Sequence, residues 1–375
     1  MPSLTNTYTN GIWTKSLNPK IYVKDHWVDL LDPSWADIQA MVQTGLHLIY
    51  FKIGDVLNVL YNGVSTPVVV IGLDHDIPTD PNKTHSMTLQ FQDVIEEMQF
   101  DAKEALFACP NGLTAGTYHF TITQHPWVPT DVGKTIQLTL TNDIPADGCL
   151  VLQNAYNATV VGAKINSYAT LSATTALESV TMTEGSDGTD LGNVSNSVSG
   201  NTNSLQRALL GSNNYNNYNE SAIRQWLNSS EAAGSVWTPR TKWDRYPSWS
   251  ATYSGFLSRL DPNLISVIGT CTKRTAKNTV TDGGGYADTT EKIFLMSRTE
   301  AFGDKENNVA EGSKYDIYTN NASRIKTKSG TAKYWWVRSP GSASAYYVRG
   351  VSPSGALYNY FAYITIGVVP AWIIC

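Results

Sequence analysis

The stretch YWWVRSPGSASAYYVRGVSPSGALYNYFAYITIGVVPAWII, residues 334–374, carries the most structural information in the chain. Its pieces KYWWVRSP, AYYVRGV, LYNYFAYITI and GVVPAWII are rich in aromatic and β-branched residues and are broken by a Ser-Pro-Ser-Gly turn. That pattern predicts the closing strands of a mixed α+β domain. Six of the 20 tyrosines lie in the last 45 residues, among Ser, Gly, Ala and Asn, and this window holds no Asp or Glu. Tyrosine offers a large amphipathic contact area with few rotors to freeze, while Ser and Gly let the backbone adapt. The mixture is that of a recognition surface. Trp335, Trp336, Val348, Val351 and Trp372 are expected in the core, whereas Tyr358, Tyr360 and Tyr363 stand too close together for all to be buried on one side.

Working outward, the composition of 42% hydrophobic and 16% charged residues is that of a packed protein, which excludes global disorder. A net charge of −5, with no run of Lys and Arg interleaved with aromatics, argues against a nucleic-acid partner. Cys109, Cys149, Cys271 and Cys375 are scattered without a CxxC pair, so they read as isolated thiols in or near a core. The opening MPSLTNTYTNGIW has neither a basic start nor an apolar centre, so no signal peptide is visible. No apolar run of about 18 residues predicts membrane insertion.

Four regions emerge. Residues 1–31 read as an arm or a strand pair. Residues 32–116 open the main domain, beginning with a helix in which Asp32 caps, Pro33 starts, Trp35, Ile38, Met41 and Val42 share a face, and Gly45 stops. Asn62-Gly63 turns a hairpin between VLNVLY and TPVVVIGL. MTLQFQDVIEEMQFDAKEAL predicts a strand and then a short helix, with Glu96 and Glu97 on its solvated face. Residues 117–190 alternate like exposed strands and form a β-rich insertion, followed by the polar connector 193–204. Residues 191–375 complete the domain, with a short helix over 220–230 that turns Ile223, Trp226 and Leu227 inward. A helix or turn is expected near 255–265, and an apolar strand leading into a turn over 291–303.

The search for chemistry is mostly negative: GxSxG, HExxH, Walker and dinucleotide motifs are absent. LDHDIPTDPNKTH places Asp74, His75, Asp76, Asp80 and His85 within a dozen residues, the types that bind metals. Their spacing fits no standard loop, however, and Pro78 and Pro81 mark a turn that Asp and Asn would cap anyway. The turn reading is preferred, and no catalytic residue, metal or cofactor is expected. His26, His47, His119 and His125 are isolated in sequence and read as core or surface residues.

The closing segment resembles that of a bacterial and phage family with a C-type-lectin-like (formylglycine-generating-enzyme-like) fold. The family pattern is W-W-x-R-S-P, a Ser/Asn-rich stretch, and Gly-Val near a final Pro. The matching anchors are Trp335, Trp336, Arg338, Ser339, Pro340, Val351, Gly355, Gly367, Val368 and Pro370; Val369 stands where Arg is common. FKIGD, VIGLDHD, SAIRQWLN and IFLMSRTEAFG also look like the family's elements, so the resemblance covers most of residues 45–375.

Some members are variable proteins of diversity-generating retroelements, in which adenine-directed mutagenesis rewrites codons near the end of the gene. The resemblance then implies a variable segment 341–366. Its ligand-binding positions would be Gly341, Ser344, Tyr346, Tyr347, Ser352, Ser354, Ala356, Tyr358, Asn359, Tyr360, Phe361, Ile364 and Ile366. It also implies a displayed binder, a phage receptor-binding protein or adhesin on a virion or bacterial surface. Such a binder would engage a host-surface protein or glycan and dock on other subunits through its N-terminal region. The alternatives are an enzyme of the formylglycine-generating class, for which Cys271 lacks a neighbouring thiol, and a structural virion subunit without a variable site.

Overall fold

The computed structural model describes residues 3–9, 12–30, 32–102, 106–109, 114–122, 133–143, 148–152, 159–164, 175–181, 183–194, 216–238, 247–279, 282–344 and 346–375. The fold is mixed α+β with several sheets. The N-terminal region is an antiparallel meander of three strands, β1 (Ser3–Thr9), β2 (Ile12–Val23) and β3 (His26–Asp29). Ile21, Val23 and Val28 point inward and pack with Ala40 and Met41 of helix α1 (Trp35–Gln43). Tyr22 and Trp27 lie exposed, as period-2 alternation requires. Helix α1 starts two residues later than expected: Ser34, not Asp32, is its N-cap, in a capping box with Asp37. A single turn, α2 (His47–Tyr50), follows the left-handed Gly45.

Asn62 and Gly63 both take positive φ, 50° and 75°, and turn β4 (Val56–Tyr61) into β5 (Val64–Leu73) as a type I′ hairpin does. β6 (Met87–Phe91) pairs with β5 and is buried along its whole length. Glu96 and Glu97 do not lie on a helix. They belong to β7 (Glu96–Gln99), which pairs with a strand near the C-terminus. Glu96 accepts from Tyr61 and Arg259, while Glu97 faces Lys328 and Lys333, so partners on the sheet override local helix propensity.

The β-rich region opens earlier than residue 117. It comprises β8 (Leu106–Cys109), β9 (Gly116–Ile122), β10 (Thr135–Leu140), β11 (Gly148–Leu152), β12 (Thr159–Lys164), β13 (Thr175–Thr181), β14 (Thr183–Glu184) and β15 (Thr189–Val194). These form two four-stranded sheets, β14-β10-β9-β15 and β13-β12-β11-β8. Nearly all of the connector 193–204 lies outside the described residues.

Helix α3 (Ala222–Leu227) buries Ile223, Trp226 and Leu227 as predicted. A 3-10 turn (Phe256–Arg259) and α4 (Pro262–Val267) lead to the hairpin β16 (Cys271–Ala276) and β17 (Tyr286–Glu291). β18 (Ile293–Phe294) is then followed not by a turn but by α5 (Arg298–Phe302), whose capping box joins Ser297 and Glu300. After the small hairpin β19 (Lys326–Lys328) and β20 (Thr331–Lys333) come β21 (Trp335–Pro340), β22 (Tyr347–Val351), β23 (Leu357–Phe361), β24 (Thr365–Val368) and β25 (Ala371–Ile374). Two five-stranded sheets result, β18-β25-β6-β5-β4 and β23-β22-β21-β24-β7. Val369 and Pro370 carry the chain from the second sheet into the first.

Trp226, Trp335, Trp336 and Trp372 are fully buried in one core. The first three donate their indole N–H to the carbonyls of Ser254, Arg324 and Met98 respectively, each at 2.9 Å.

A polar network crosses this interior. Arg338 of β21 is fully buried and forks onto Glu300 of α5, while also donating to the carbonyls of Leu295, Arg274 and Glu311. Lys273 of β16 donates to Glu300 Oε1 at 3.0 Å and to Asp76 Oδ1 at 2.6 Å. Thr88 and Tyr315 donate their hydroxyls to Asp76 Oδ2, each at 2.7 Å. Burial opposes charge on Asp76, but Lys273 and three hydrogen bonds prevail and hold its carboxyl down to about 2. Glu311 is different. Burial outweighs Arg338 and pushes it up to about 7, with its oxygens on the Ala276 N–H and the Ser339 hydroxyl.

This predicts a pH signature. The native state keeps a proton on Glu311 that an unfolded glutamate releases near 4.3. Its contribution is therefore complete below that pH and lost as pH rises through about 7. Glu311→Gln keeps the shape but cannot ionise. In denaturant titrations its stability relative to the parent should rise by about 1–3 kcal/mol between pH 5 and pH 8. A difference that stays constant with pH would contradict a neutral Glu311.

Candidate ligand-binding surface

The variable segment predicted from sequence maps onto β22, β23 and the loops around them. β21 is buried at every residue, so it acts as a floor. β22 pairs beside it in the same sheet, and β23 forms the edge of the described sheet, with Tyr347 opposite Phe361, Arg349 opposite Asn359 and Gly350 opposite Tyr358. An edge strand leaves one row of backbone groups unpaired.

The thirteen predicted positions divide. Ser354, Tyr358 and Asn359 are exposed, Tyr358 at 48%. Tyr347, Ala356, Tyr360, Phe361 and Ile364 are half-buried. Gly341, Ser344, Tyr346, Ser352 and Ile366 are buried. Local chemistry explains the last group. A Cβ on Gly341 would come within 2.9 Å of the Tyr347 Cβ. Ser344 Oγ accepts the backbone N–H groups of Tyr346 and Tyr347, both at 3.1 Å. Asn216 Nδ2 clamps the loop from outside, donating to the carbonyls of Ser344 and Tyr347 at 2.7 Å each. Gly355 has φ of +78°, and a Cβ there would overlap the Asn321 carbonyl, so this turn admits only glycine.

The aromatic rings form two connected groups. Tyr334, Tyr358 and Tyr360 meet at centroid distances of 4.9–5.5 Å, and Tyr360 touches Trp336 below. Tyr346, Tyr347, Phe361 and Tyr363 meet at 4.3–5.4 Å. Tyr363 is half-buried, so Tyr358 is the exposed member of the three tyrosines singled out from sequence.

Glu306 anchors β22 through Arg349. It is buried, accepts a bidentate pair from Arg349 at 2.8 and 2.9 Å, and accepts from Arg298 and from the Ser342 N–H. Arg349 reaches on to Asn359 Oδ1 at 2.6 Å. Burial opposes charge on Glu306, but the Arg349 and Ser342 bonds prevail and its carboxyl stays below the usual range. Sequence reasoning missed Glu306. Its distance in sequence from Arg349 gives no signal of the pair.

The acidic turn of residues 73–85 does not form one cluster. Asp76 belongs to the buried network, and Asp80 caps Asn82 within the turn. His75 stacks on Tyr315 with centroids 3.9 Å apart. Asp74 and His85 turn instead to His47, which the sequence left isolated. Cys271 and Cys375 are buried and unbridged, and burial pushes the Cys271 thiol up to about 12, far from a nucleophilic thiolate. A depression of about 490 Å³ opens over Lys273, Glu311 and Arg338, but the polar atoms of all three are already engaged in the network.

Floor and surface should respond differently to mutation. Trp335→Ala is expected to cost about 3–5 kcal/mol of stability. Tyr358→Ser should cost within about 0.5 kcal/mol, and Tyr360→Ser about 1–2 because its ring rests on the core. Chemical denaturation of the three variants checks the order; a Tyr358 loss equal to that of Trp335 would make the hairpin part of the core.

No helix among the described residues is long and apolar enough to cross a membrane. Residues 199–375 match a family described as a domain of unknown function (DUF6273). That region contains the hairpin, Arg338, Glu300 and Glu306, and leaves out His47, Asp74 and His85. No curated protein and no solved structure matches the chain.

Proposed function

We propose that this chain is a displayed ligand-binding protein on a C-type-lectin-like scaffold, and that the β22–β23 hairpin is its hypervariable recognition surface. One observation carries the reading: two groups of aromatic side chains, in a segment without Asp or Glu, stand at a sheet edge beside a strand that is buried at every residue. Such a surface binds by area and shape, and a fixed floor lets its side chains change without moving the backbone. Tyrosine-rich contacts with Ser and Asn between them suit either a host-surface protein or a glycan. The N-terminal meander, with Tyr22 and Trp27 exposed, supports attachment to other virion or surface subunits. The formylglycine-generating alternative is disfavoured by the buried, unpaired Cys271.

The nucleotide sequence around the gene tests this directly. A near-copy of the coding stretch that covers residues 335–370 should lie nearby, differing at adenines of the copy. The differences should concentrate on Tyr347, Ser354, Ala356, Tyr358, Asn359, Tyr360, Phe361 and Ile364, which are exposed or half-buried. They should spare Trp335, Arg338, Gly355 and Pro370. Absence of a copy, or differences spread equally over floor and surface, would remove the hypervariable reading and leave a fixed binder or structural subunit.

A further inference from the structure

Three side chains from separate parts of the chain converge beside the hairpin β5–β6. His47 comes from α2, Asp74 follows β5, and His85 precedes β6. His47 Nε2 lies 3.0 Å from Asp74 Oδ1, and His85 Nδ1 lies 2.7 Å from Asp74 Oδ2. One nitrogen or oxygen from each of the three falls within 4.8 Å of the other two. We propose that His47, Asp74 and His85 form a binding site for a divalent transition-metal ion of the zinc type.

The arrangement is preorganised. The His47 ring is fully buried, and His85 packs edge-to-face on it with centroids 5.4 Å apart. Gly45 lies against the other side of His85, where an added Cβ would be 3.2 Å from Nε2. Asp74 has φ of 53°, a backbone conformation that costs most side chains energy but that Asp and Asn tolerate. Its backbone N–H donates to the Ser86 carbonyl at 2.8 Å, and its Oδ1 accepts the Ser86 N–H at 2.9 Å. The carboxylate is thus aimed at both rings by a fixed turn.

The chemistry and dimensions suit the ion. Two imidazoles and a carboxylate are ligands for zinc and its first-row neighbours, whereas calcium and magnesium prefer oxygen shells. Tetrahedral zinc with bonds of about 2.0–2.1 Å sets its ligand atoms roughly 3.3 Å apart, so the two His–Asp contacts would open by a few tenths of an ångström around an ion, and the three ligand atoms already lie within 4.8 Å of one another. His47 Nε2 faces the Asp74 carboxylate, which holds the ring proton there until an ion displaces it, and Nδ1 has no hydrogen-bond partner to oppose the change of tautomer. Asp74 and His85 are 30% and 31% exposed, which leaves an open side for water as a further ligand. The nearby ammonium groups are engaged elsewhere: Lys83 donates to the Cys375 carbonyl and Lys24 to Gln43. A bound ion would tie α2 to the β5–β6 hairpin, outside the region that matches the family.

The test uses the full chain stripped with a chelator and titrated with zinc chloride by calorimetry and thermal melting. One equivalent should bind and raise Tm, and magnesium or calcium chloride should do neither. Asp74→Asn, whose side chain accepts the same left-handed backbone, and His85→Ala, at a partly exposed position, should both weaken zinc binding at least tenfold. Cobalt chloride should produce the visible d–d absorption of a four- or five-coordinate site in the parent, and neither variant should show it. Failure to take up one equivalent of zinc would overturn the proposal. So would variants that bind as tightly as the parent, because the ion would then sit elsewhere.

Discussion

The forked contact between Arg338 and Glu300 is the constraint on which the rest of the structure depends. Two charges without solvent are costly, and such a pair survives only when every remaining donor and acceptor is satisfied. Here that requirement is met from many sides. Glu300 caps its own helix, receives Lys273 and faces Arg338, while Arg338 spends its other donors on three backbone carbonyls and Thr275. Lys273 passes the chain of charges on to Asp76, and so joins β21, α5, β16 and the turn after β5. Hydrophobic packing around four buried tryptophans supplies the bulk of the stability, but packing alone tolerates sliding. The network ties Arg338 of β21 to fixed partners on α5 and β16, and β22 and β23 pair outward from that strand in the same sheet.

A strand held in this way explains the division of the hairpin paired beside it. Where backbone must stay, the chain uses groups without freedom: Gly341 against Tyr347, Ser344 capping two amides, Gly355 against Asn321. Where the backbone is already secured, side chains project into solvent from the turn and from the edge strand, as Ser354, Tyr358 and Asn359 do. Glu306 marks the boundary. It is buried like the floor, yet its partner Arg349 touches Asn359 on the surface.

Much of this was legible in the sequence because it is local. The Asn62-Gly63 turn, the inward face of α3 and the tryptophans of β21 all follow from turn chemistry or short-range periodicity. The helix expected at Glu96 failed because those residues answer to β24, which lies more than 250 positions away in sequence. The same limit hid Glu306, and it hid the meeting of His47 with Asp74 and His85: those two stand in one short stretch, but nothing in the spacing tells that a helix brings His47 to them. The burial of Ser344 and Ser352 was also hidden. A serine that caps backbone and a serine that faces a ligand look alike in sequence.

The central claim is that a charge-locked floor carries a surface free to change. Randomising Tyr347, Ser354, Tyr358, Asn359 and Phe361 together on displayed full-length chain, then sorting for folded protein, tests it most directly. The account predicts that folded clones carry diverse residues at Ser354, Tyr358 and Asn359, and that a parallel library at Arg338, Glu300, Gly341, Ser344 and Gly355 returns almost only the parental residues. Equal depletion of folded clones in the two libraries would contradict it.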